Sequence, residues 1–364
     1  MTHVAMTGAN GFLGWHTRLA LRARALDAAA FTVGSGYDGD RAARAISGSA
    51  RAIHIAGVNR ASDHEVSEGN LLFATQFADA LRRAEEPPPV IAYANSTQSA
   101  NASIYGEAKL RAGEIVRKAA EDVGAAFEDV VLPNIFGEHG QPFYNAVTAT
   151  FCHLLAEGEV PTIAQDKEMT LLHAQNAADL LSGGTQLVDQ GAFEVHESVS
   201  GLLSKLQQIA RTYARGEIPD VADPFDRDLF NTYRSYTFPA AAPIRLTRHA
   251  DARGSFFEII RAHGGSGQSS FSTTLPGISR GDHFHRRKIE RFTVLAGEAT
   301  ISLRKMFTED VIAFPVNGVE PAAVDMPVGW SHKIQNTGTE TLYTSFWTNE
   351  IFDPEEPDTI AEAV

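Results

Sequence analysis

The sequence is 364 residues long, 43% hydrophobic and 21% charged, enough apolar surface for a folded core and too much for a chain kept disordered by composition; at roughly 150 residues per domain it makes two domains. With 45 Asp and Glu against 31 Lys and Arg the net charge is −14, so no electrostatic grip on nucleic acid or anionic membrane is expected and the partners are small molecules or proteins. Cys152 is the single cysteine, which excludes an internal disulfide and a zinc site of several thiolates and fits a cytoplasmic location, as does the lack of a signal-like leader or of a run near the ~18 apolar residues of a membrane helix.

In chain order, the runs HVAMTG (3–8), AIHIAG (52–57), VIAYANS (90–96) and FEDVVL (127–132) read as strands, with Ala-, Leu- and Arg-rich helical segments such as 105–124 between them. That alternation predicts an α/β architecture, a doubly wound parallel sheet with helices on both faces. The second strand is expected at FTVGSG (31–36). From about 200 to 240 the texture changes to a helical stretch and then DPFDRDLFNTYRSYTFPAAAP, rich in Asp, aromatics and Pro, which reads as the join between domains at 1–242 and 243–364. Beyond it FSTTLP (271–276), ATISLR (299–304) and YTSFWT (343–348), closely punctuated by Gly and Pro, predict an antiparallel barrel or sandwich.

The first strand runs into TGANGFLG, where Gly8, Gly11 and Gly14 sit at a strand-to-helix turn. Glycines there let the backbone approach a pyrophosphate at a helix N-terminus. Further on, Tyr105 and Lys109 are four apart and share one face of the 105–124 helix, and Ser96 ends the strand nine residues before Tyr105. Reducing a carbonyl needs an acid that delivers a proton as hydride arrives. A phenol near its reference pKa of ~10 needs a nearby cation to serve, which Lys109 supplies, while Ser96 hydrogen-bonds the carbonyl where charge develops. No acidic residue closes the second strand, and Arg41 and Arg44 are the nearest cations, which tilts the cofactor toward NADPH over NADH.

In the second half, GDHFHRRKIERFTVLAG (281–297) and PVGWSHKIQN (327–336) carry a different chemistry. His283 and His285 are two apart and fall on one side of a strand, Glu290 follows a bend, and His332 comes from a separate hairpin. Three imidazoles and a carboxylate suit a divalent transition metal such as zinc.

The first constellation resembles the extended short-chain dehydrogenase/reductase family: TGxxGxxG, the Ser-bearing strand end, YxxxK, and Pro133, Asn134, Phe136 and Gly137 as PNxFG. The second matches both cupin motifs, HxHx(4)Ex(6)G and PxGxxHxxxN, with Pro321 where the second motif usually opens on Gly. HIAGVNR (54–60), YGEAKL (105–110), YNAVTATFC (144–152), DARGSFFEII (251–260) and FWTNEIFDPEEPDT (346–359) extend the likeness over the whole chain, which is similar to the CapF-like bifunctional capsular polysaccharide synthesis enzymes.

That resemblance implies a Rossmann-type reductase domain fused to a cupin barrel. Ser96, Tyr105 and Lys109 are then catalytic. Gly8, Asn10, Gly11, Phe12, Leu13, Gly14, Ala56, Gly57, Tyr105 and Lys109 bind the cofactor, and His283, His285, Glu290 and His332 bind the metal. It further implies a UDP-sugar substrate and a homodimer. The cupin inverts the 3-position of a UDP-4-keto-6-deoxy amino sugar, and the reductase converts the 4-ketone with NADPH to the L-talose sugar, a precursor of N-acetyl-L-fucosamine. The alternatives are a reductase whose barrel only docks substrate and dimerises, and a sugar-binding protein with a vestigial nicotinamide fold. The family pattern carries an Arg at Val131 and an acidic pair at Gln175 and Asn176, so this chain departs from it at those positions.

Overall fold

The structure, a computed structural model, describes residues 3–364. It divides into two compact units, one formed by the residues through Thr150 with Asp166–Val199, the other by Phe151–Gln165 with Ser200–Val364.

In the first unit the chain runs β1 (His3–Met6), α1 (Phe12–Ala23), β2 (Asp27–Ala30), α2 (Gly39–Ile46), β3 (Arg51–His54), α3 (Asp63–Arg83), β4 (Val90–Ser96), α4 (Ile104–Val123) and β5 (Ala126–Leu132). The strands form one parallel sheet in the order β2-β1-β3-β4-β5. Alternation along each strand builds both faces. Ala5, Ile91 and Tyr93 pack with Phe77 and Leu81 of α3 and Val116 of α4, while Val4, Met6, Ile53 and Ala92 pack on the other side with Leu21 of α1. Local signals set the helix ends. Ser62 and Glu65 form a reciprocal capping box on α3, Ser103 caps α4 through Gly106 N–H, and Gly124 ends α4 at φ +74°.

The second strand differs from the expectation. It spans Asp27–Ala30, and Phe31–Gly36 lie in the connection that follows, where Gln76 Oε1 accepts from Gly34 N–H at 2.6 Å. The alanines of DAAA carry little β signal of their own, and pairing with β1 decides the strand. A smaller sheet follows from β6 (Asn134–Phe136), β7 (Glu168–His173) and β8 (Glu194–Ser198), with α5 (Val147–Ala156) and α6 (Ala174–Ser182) along the way. Leu180 of α6 joins the core on the face of α1.

The second unit contains α7 (Val199–Tyr213) and α8 (Pro224–Thr237), then β9 (Ile244–Arg245), a ribbon of β10 (Arg248–Asp251) and β11 (Gly254–Phe257), and β12 (Gln268–Thr274), β13 (Ser279–Phe284), β14 (Glu290–Ala296), β15 (Glu298–Lys305), β16 (Val311–Asn317), β17 (Ala322–Met326), β18 (Trp330–Asn336), β19 (Leu342–Thr348) and β20 (Ile360–Ala361). Two antiparallel sheets, β12-β19-β14-β17-β9 and β16-β15-β18-β13-β20, enclose a core that includes Phe292, Val294, Ile301, Leu303, Val324 and Ile334. This is the expected all-β barrel.

The stretch DPFDRDLFNTYRSYTFPAAAP (223–243), expected as the join, is instead largely helix α8, started by Asp223 as N-cap with Pro224 behind it. The helical stretch belongs with the barrel. Arg291 of β14 grips Asp325 of β17 with two hydrogen bonds of 2.6 and 2.9 Å and donates to Gly216 O at 2.6 Å, and Asn231 of α8 donates to Arg287 O at 2.8 Å. Removing one partner of a buried ion pair leaves the other charge uncompensated. Asp325→Ala is therefore expected to lower stability by about 3–5 kcal/mol, read from urea unfolding of the full chain, and a loss below about 1 kcal/mol would contradict this role.

Candidate functional site

The order of the parallel sheet reverses between β1 and β3, so a crevice opens beyond the carboxyl ends of these strands. Thr7 builds its floor. Its Oγ accepts from Ile55 and Ala56 N–H at 3.1 and 3.3 Å, which leaves its single proton for His54 Nδ1 at 2.8 Å. The end of β1 is thus tied to the segment holding Ala56 and Gly57.

The three glycines have different reasons to be glycine. Gly8 stands at φ +70°, and a Cβ there would lie 2.8 Å from Ala56 N. At Gly14 a Cβ would fall 1.9 Å from Gly8 O, so α1 can pack this closely on the turn only with glycine. Beside Gly11 a Cβ would meet only Gly8 O, at 3.4 Å, so the protein's own packing does not require glycine there. Gly11 is also the N-cap of α1, with no side-chain cap and no acidic residue in the first turn, which leaves the N–H groups around Phe12 and Leu13 to an anion. Gly11→Ala is accordingly expected to weaken dinucleotide binding by about tenfold or more with at most ~1 kcal/mol lost from the fold, whereas Gly14→Ala should destabilise the protein outright. Titration by cofactor fluorescence together with thermal melting separates the two, and equal melting points for both variants would contradict the assignment.

Ser96 ends β4, and its Oγ accepts from Gln98 N–H at 3.2 Å, which leaves the hydroxyl proton to donate elsewhere. Tyr105 and Lys109 lie one turn apart near the start of α4. A Cβ on the intervening Gly106 would lie 2.2 Å from Gln98 O, so the turn after Ser96 and the helix start are pressed together. Sequence reasoning passed over both Gly106 and Thr7.

The electrostatics differ from the sequence reading. Burial pushes the Tyr105 phenol up, and burial pulls Lys109 down to about 7 against the pull of Asp129. The Lys109 ammonium donates to Ala94 O at 2.5 Å and lies 4.3 Å from the centre of the Tyr93 ring. With burial raising it, the Tyr105 phenol holds its proton at neutral pH. A buried carboxylate unmarked by the sequence reading, Glu138, follows β6 with His173 Nε2 at 3.3 Å and His16 Nε2 at 3.9 Å. Burial pushes it up, yet the two imidazoles hold it at about 2, which fastens α1 to the end of β7.

In the second unit the four expected ligands converge, with ligand atoms all within 4.8 Å of one another. His283 pairs with His332 across β13 and β18 after a bulge at Gly281 and His283, His285 lies just beyond β13, and Glu290 opens β14. Glu290 Oε2 lies 3.0 Å from His332 Nε2, 3.1 Å from His285 Nε2 and 3.7 Å from His283 Nε2.

Two of the imidazoles are oriented by carbonyls, which can only accept. His285 Nδ1 donates to Asp358 O at 2.5 Å and His332 Nδ1 to Trp330 O at 3.1 Å. A neutral ring so fixed turns its Nε2 lone pair toward the anionic Glu290 oxygen, an arrangement that a cation among them would satisfy. Burial pulls His332 down to about 4 despite Glu290, so this ring is neutral at physiological pH. The donor set, its tautomers and its charge fit a divalent transition metal.

The fold and these two sites define a class: a dinucleotide-type α/β unit followed by a cupin-type barrel. Residues 249–360 match the family described as polysaccharide biosynthesis C-terminal domain. Over 99% of its length the chain is 31% identical to UDP-2-acetamido-2,6-beta-L-arabino-hexul-4-ose reductase of Pseudomonas aeruginosa, covering 98% of that protein. The crystal structure of the capsular polysaccharide assembling protein CapF from Staphylococcus aureus matches with a TM-score of 0.62 and 30% identity over 100% of both chains. A UDP-N-acetylglucosamine 4-epimerase from Methanobrevibacter ruminantium, 12% identical at a TM-score of 0.51, covers 65% of this chain and 98% of its own, and shows the fold alone. The chain belongs to the family of the Pseudomonas reductase and CapF. Among the described residues no helix is long and apolar enough to cross a membrane.

Proposed function

We propose that the protein is a bifunctional nucleotide-sugar enzyme. Its barrel inverts the 3-position of a UDP-4-keto-6-deoxy-2-acetamido-hexose, and its α/β unit reduces the 4-ketone to UDP-2-acetamido-2,6-dideoxy-L-talose. The observation that carries the reductase half is a hydroxyl, a protonated phenol and a buried amine at the end of β4 and the start of α4, in a chain similar over its whole length to a protein named as a hexulose reductase. When bound, NADPH supplies the hydride and a divalent ion, zinc in this reading, supplies Lewis acidity toward a ketone oxygen.

The chain's own residues do the rest. Ser96 donates to the ketone oxygen. Tyr105 passes its proton to the alkoxide as it forms, and Lys109, partly protonated with its pKa at about 7, stands one helical turn behind it. His283, His285, Glu290 and His332 hold the ion. Beyond β2 no carboxylate stands before Asp38, and Asp38 is engaged as the cap of α2, accepting from Arg41 N–H at 3.0 Å. No acidic group there competes with a 2′-phosphate, which favours NADPH over NADH. A homodimer in the cytoplasm completes the reading. The test is turnover: the purified protein should oxidise NADPH with the 4-keto sugar and make the L-talose product, and no oxidation with any UDP-4-keto-6-deoxy amino sugar would overturn it.

A further inference from the structure

The tail of the chain, FDPEEPDT and the few residues after it, has no part in the chemistry above, yet it contacts His283 and His285 and the neighbour of His332. The Asp358 carboxylate is clasped by three successive backbone donors, Arg286 N–H at 3.0 Å on Oδ1 and Arg287 and Lys288 N–H at 2.9 and 2.8 Å on Oδ2. These are the residues directly after His285. The carbonyl of the same Asp358 accepts from His285 Nδ1. Asp358 adopts φ +41°, a conformation that L residues seldom take, and its carboxylate contacts hold it there. On either side Lys288 Nζ donates to Pro357 O at 2.6 Å and to Thr359 Oγ at 3.2 Å.

The next residues extend the hold. Ile360–Ala361 pair with Phe284 and His283, Glu362 N–H donates to Asp282 O at 2.9 Å, and Ser331, the neighbour of His332, donates to Glu362 O.

We infer that this C-terminal strap is a positioning device for the metal centre, with Asp358 as its key residue: its side chain fixes the loop that carries His285, and its carbonyl fixes which nitrogen of His285 faces the metal. This rests on the reading of His283, His285, Glu290 and His332 as a metal site. Outer partners of this type commonly change metal affinity by about 10- to 100-fold.

The test uses the full chain. Zinc affinity is measured by competition with a chromophoric chelator, and the visible absorption spectrum of the cobalt(II) form reports on coordination. Asp358→Ala is expected to raise the zinc dissociation constant about 10- to 100-fold and to change the cobalt spectrum. Asp358→Asn, which keeps one acceptor oxygen, should fall between it and the parent. Lys288→Met, which frees the strap without touching the clasp, should shift affinity in the same direction by less, and carries the comparison with Asp358→Asn if the alanine variant does not fold. A strap with only a structural role would lower the melting point of the chelator-treated protein while leaving zinc affinity and the cobalt spectrum unchanged, and that result overturns the inference. A parent protein with no affinity for zinc or cobalt overturns the metal reading itself, before any variant is compared.

Discussion

Replacing Tyr105 with Phe is expected to slow reduction of the 4-keto sugar by about a hundredfold or more, in the range usual for losing a general acid, while the dissociation constant for NADPH changes by less than about threefold. The ring stays and the proton goes. Because the phenol is protonated and phenylalanine keeps its buried ring, the loss reports proton delivery rather than a disturbed fold. Stopped-flow oxidation of NADPH against an equilibrium cofactor titration checks both halves, and a reduction rate within about threefold of the parent would sink the assignment of Tyr105 as the acid.

The second large effect belongs to the barrel. His332 is fully buried, fixed through Nδ1 by Trp330 O, and faces Glu290 with its other nitrogen. His332→Ala removes one of four ligands and leaves the Glu290 carboxylate short of a partner. Bound metal should fall well below one ion per chain, and exchange of the 3-hydrogen of the 4-keto sugar with heavy water should drop by about a hundredfold or more, since a proton beside a ketone is acidic only where its enolate is stabilised. Reduction of a ketone already inverted at the 3-position should stay close to the parent rate. Elemental analysis and proton NMR in heavy water read these outcomes. Undiminished exchange in a metal-depleted variant would show that the barrel's chemistry, if any, does not use this cluster.

Much of this was legible in the residues because the signals were local. Tyr105 and Lys109 one helical turn apart and His283 and His285 two apart on a strand are placed by periodicity, TGANGFLG by its position after a strand, and Glu290 and His332 by their resemblance to a two-part motif; the structure brings the four ligands together. What was not legible depends on contacts remote in sequence. The strand DAAA exists because β1 pairs with it, and the segment 223–243 is largely a helix packed with the barrel although its Asp223-Pro224 start is a helix signal that composition obscured. Thr7 and Gly106 matter through what their neighbours leave no room for or tie down, and the Asp358 clasp on residues 286–288 spans some seventy positions. The burial that raises Tyr105 and lowers Lys109 was not legible either, since desolvation depends on the whole surrounding core.

Helix α8 and the turn after α7 also bear on how the two proposed activities can be tested apart. Asn231 and Gly216 hold on to residues of the β14 region, so a fragment starting at residue 243 would lose packing that the barrel has in the whole chain. Point variants in the full-length protein are the cleaner separation.

The central claim, that one chain carries two chemistries on two sites, is tested most directly by incubating the full-length protein with the UDP-4-keto-6-deoxy-2-acetamido sugar and NADPH in heavy water, following NADPH oxidation by absorbance and deuterium at the 3-position by mass spectrometry and NMR. The account predicts oxidation of NADPH and a 3-deuterated L-talose product, with deuterium uptake into the ketone continuing when NADPH is withheld. Oxidation of NADPH to a product that carries no deuterium at the 3-position and keeps the configuration of the starting sugar there would contradict it and leave a ketone reductase alone.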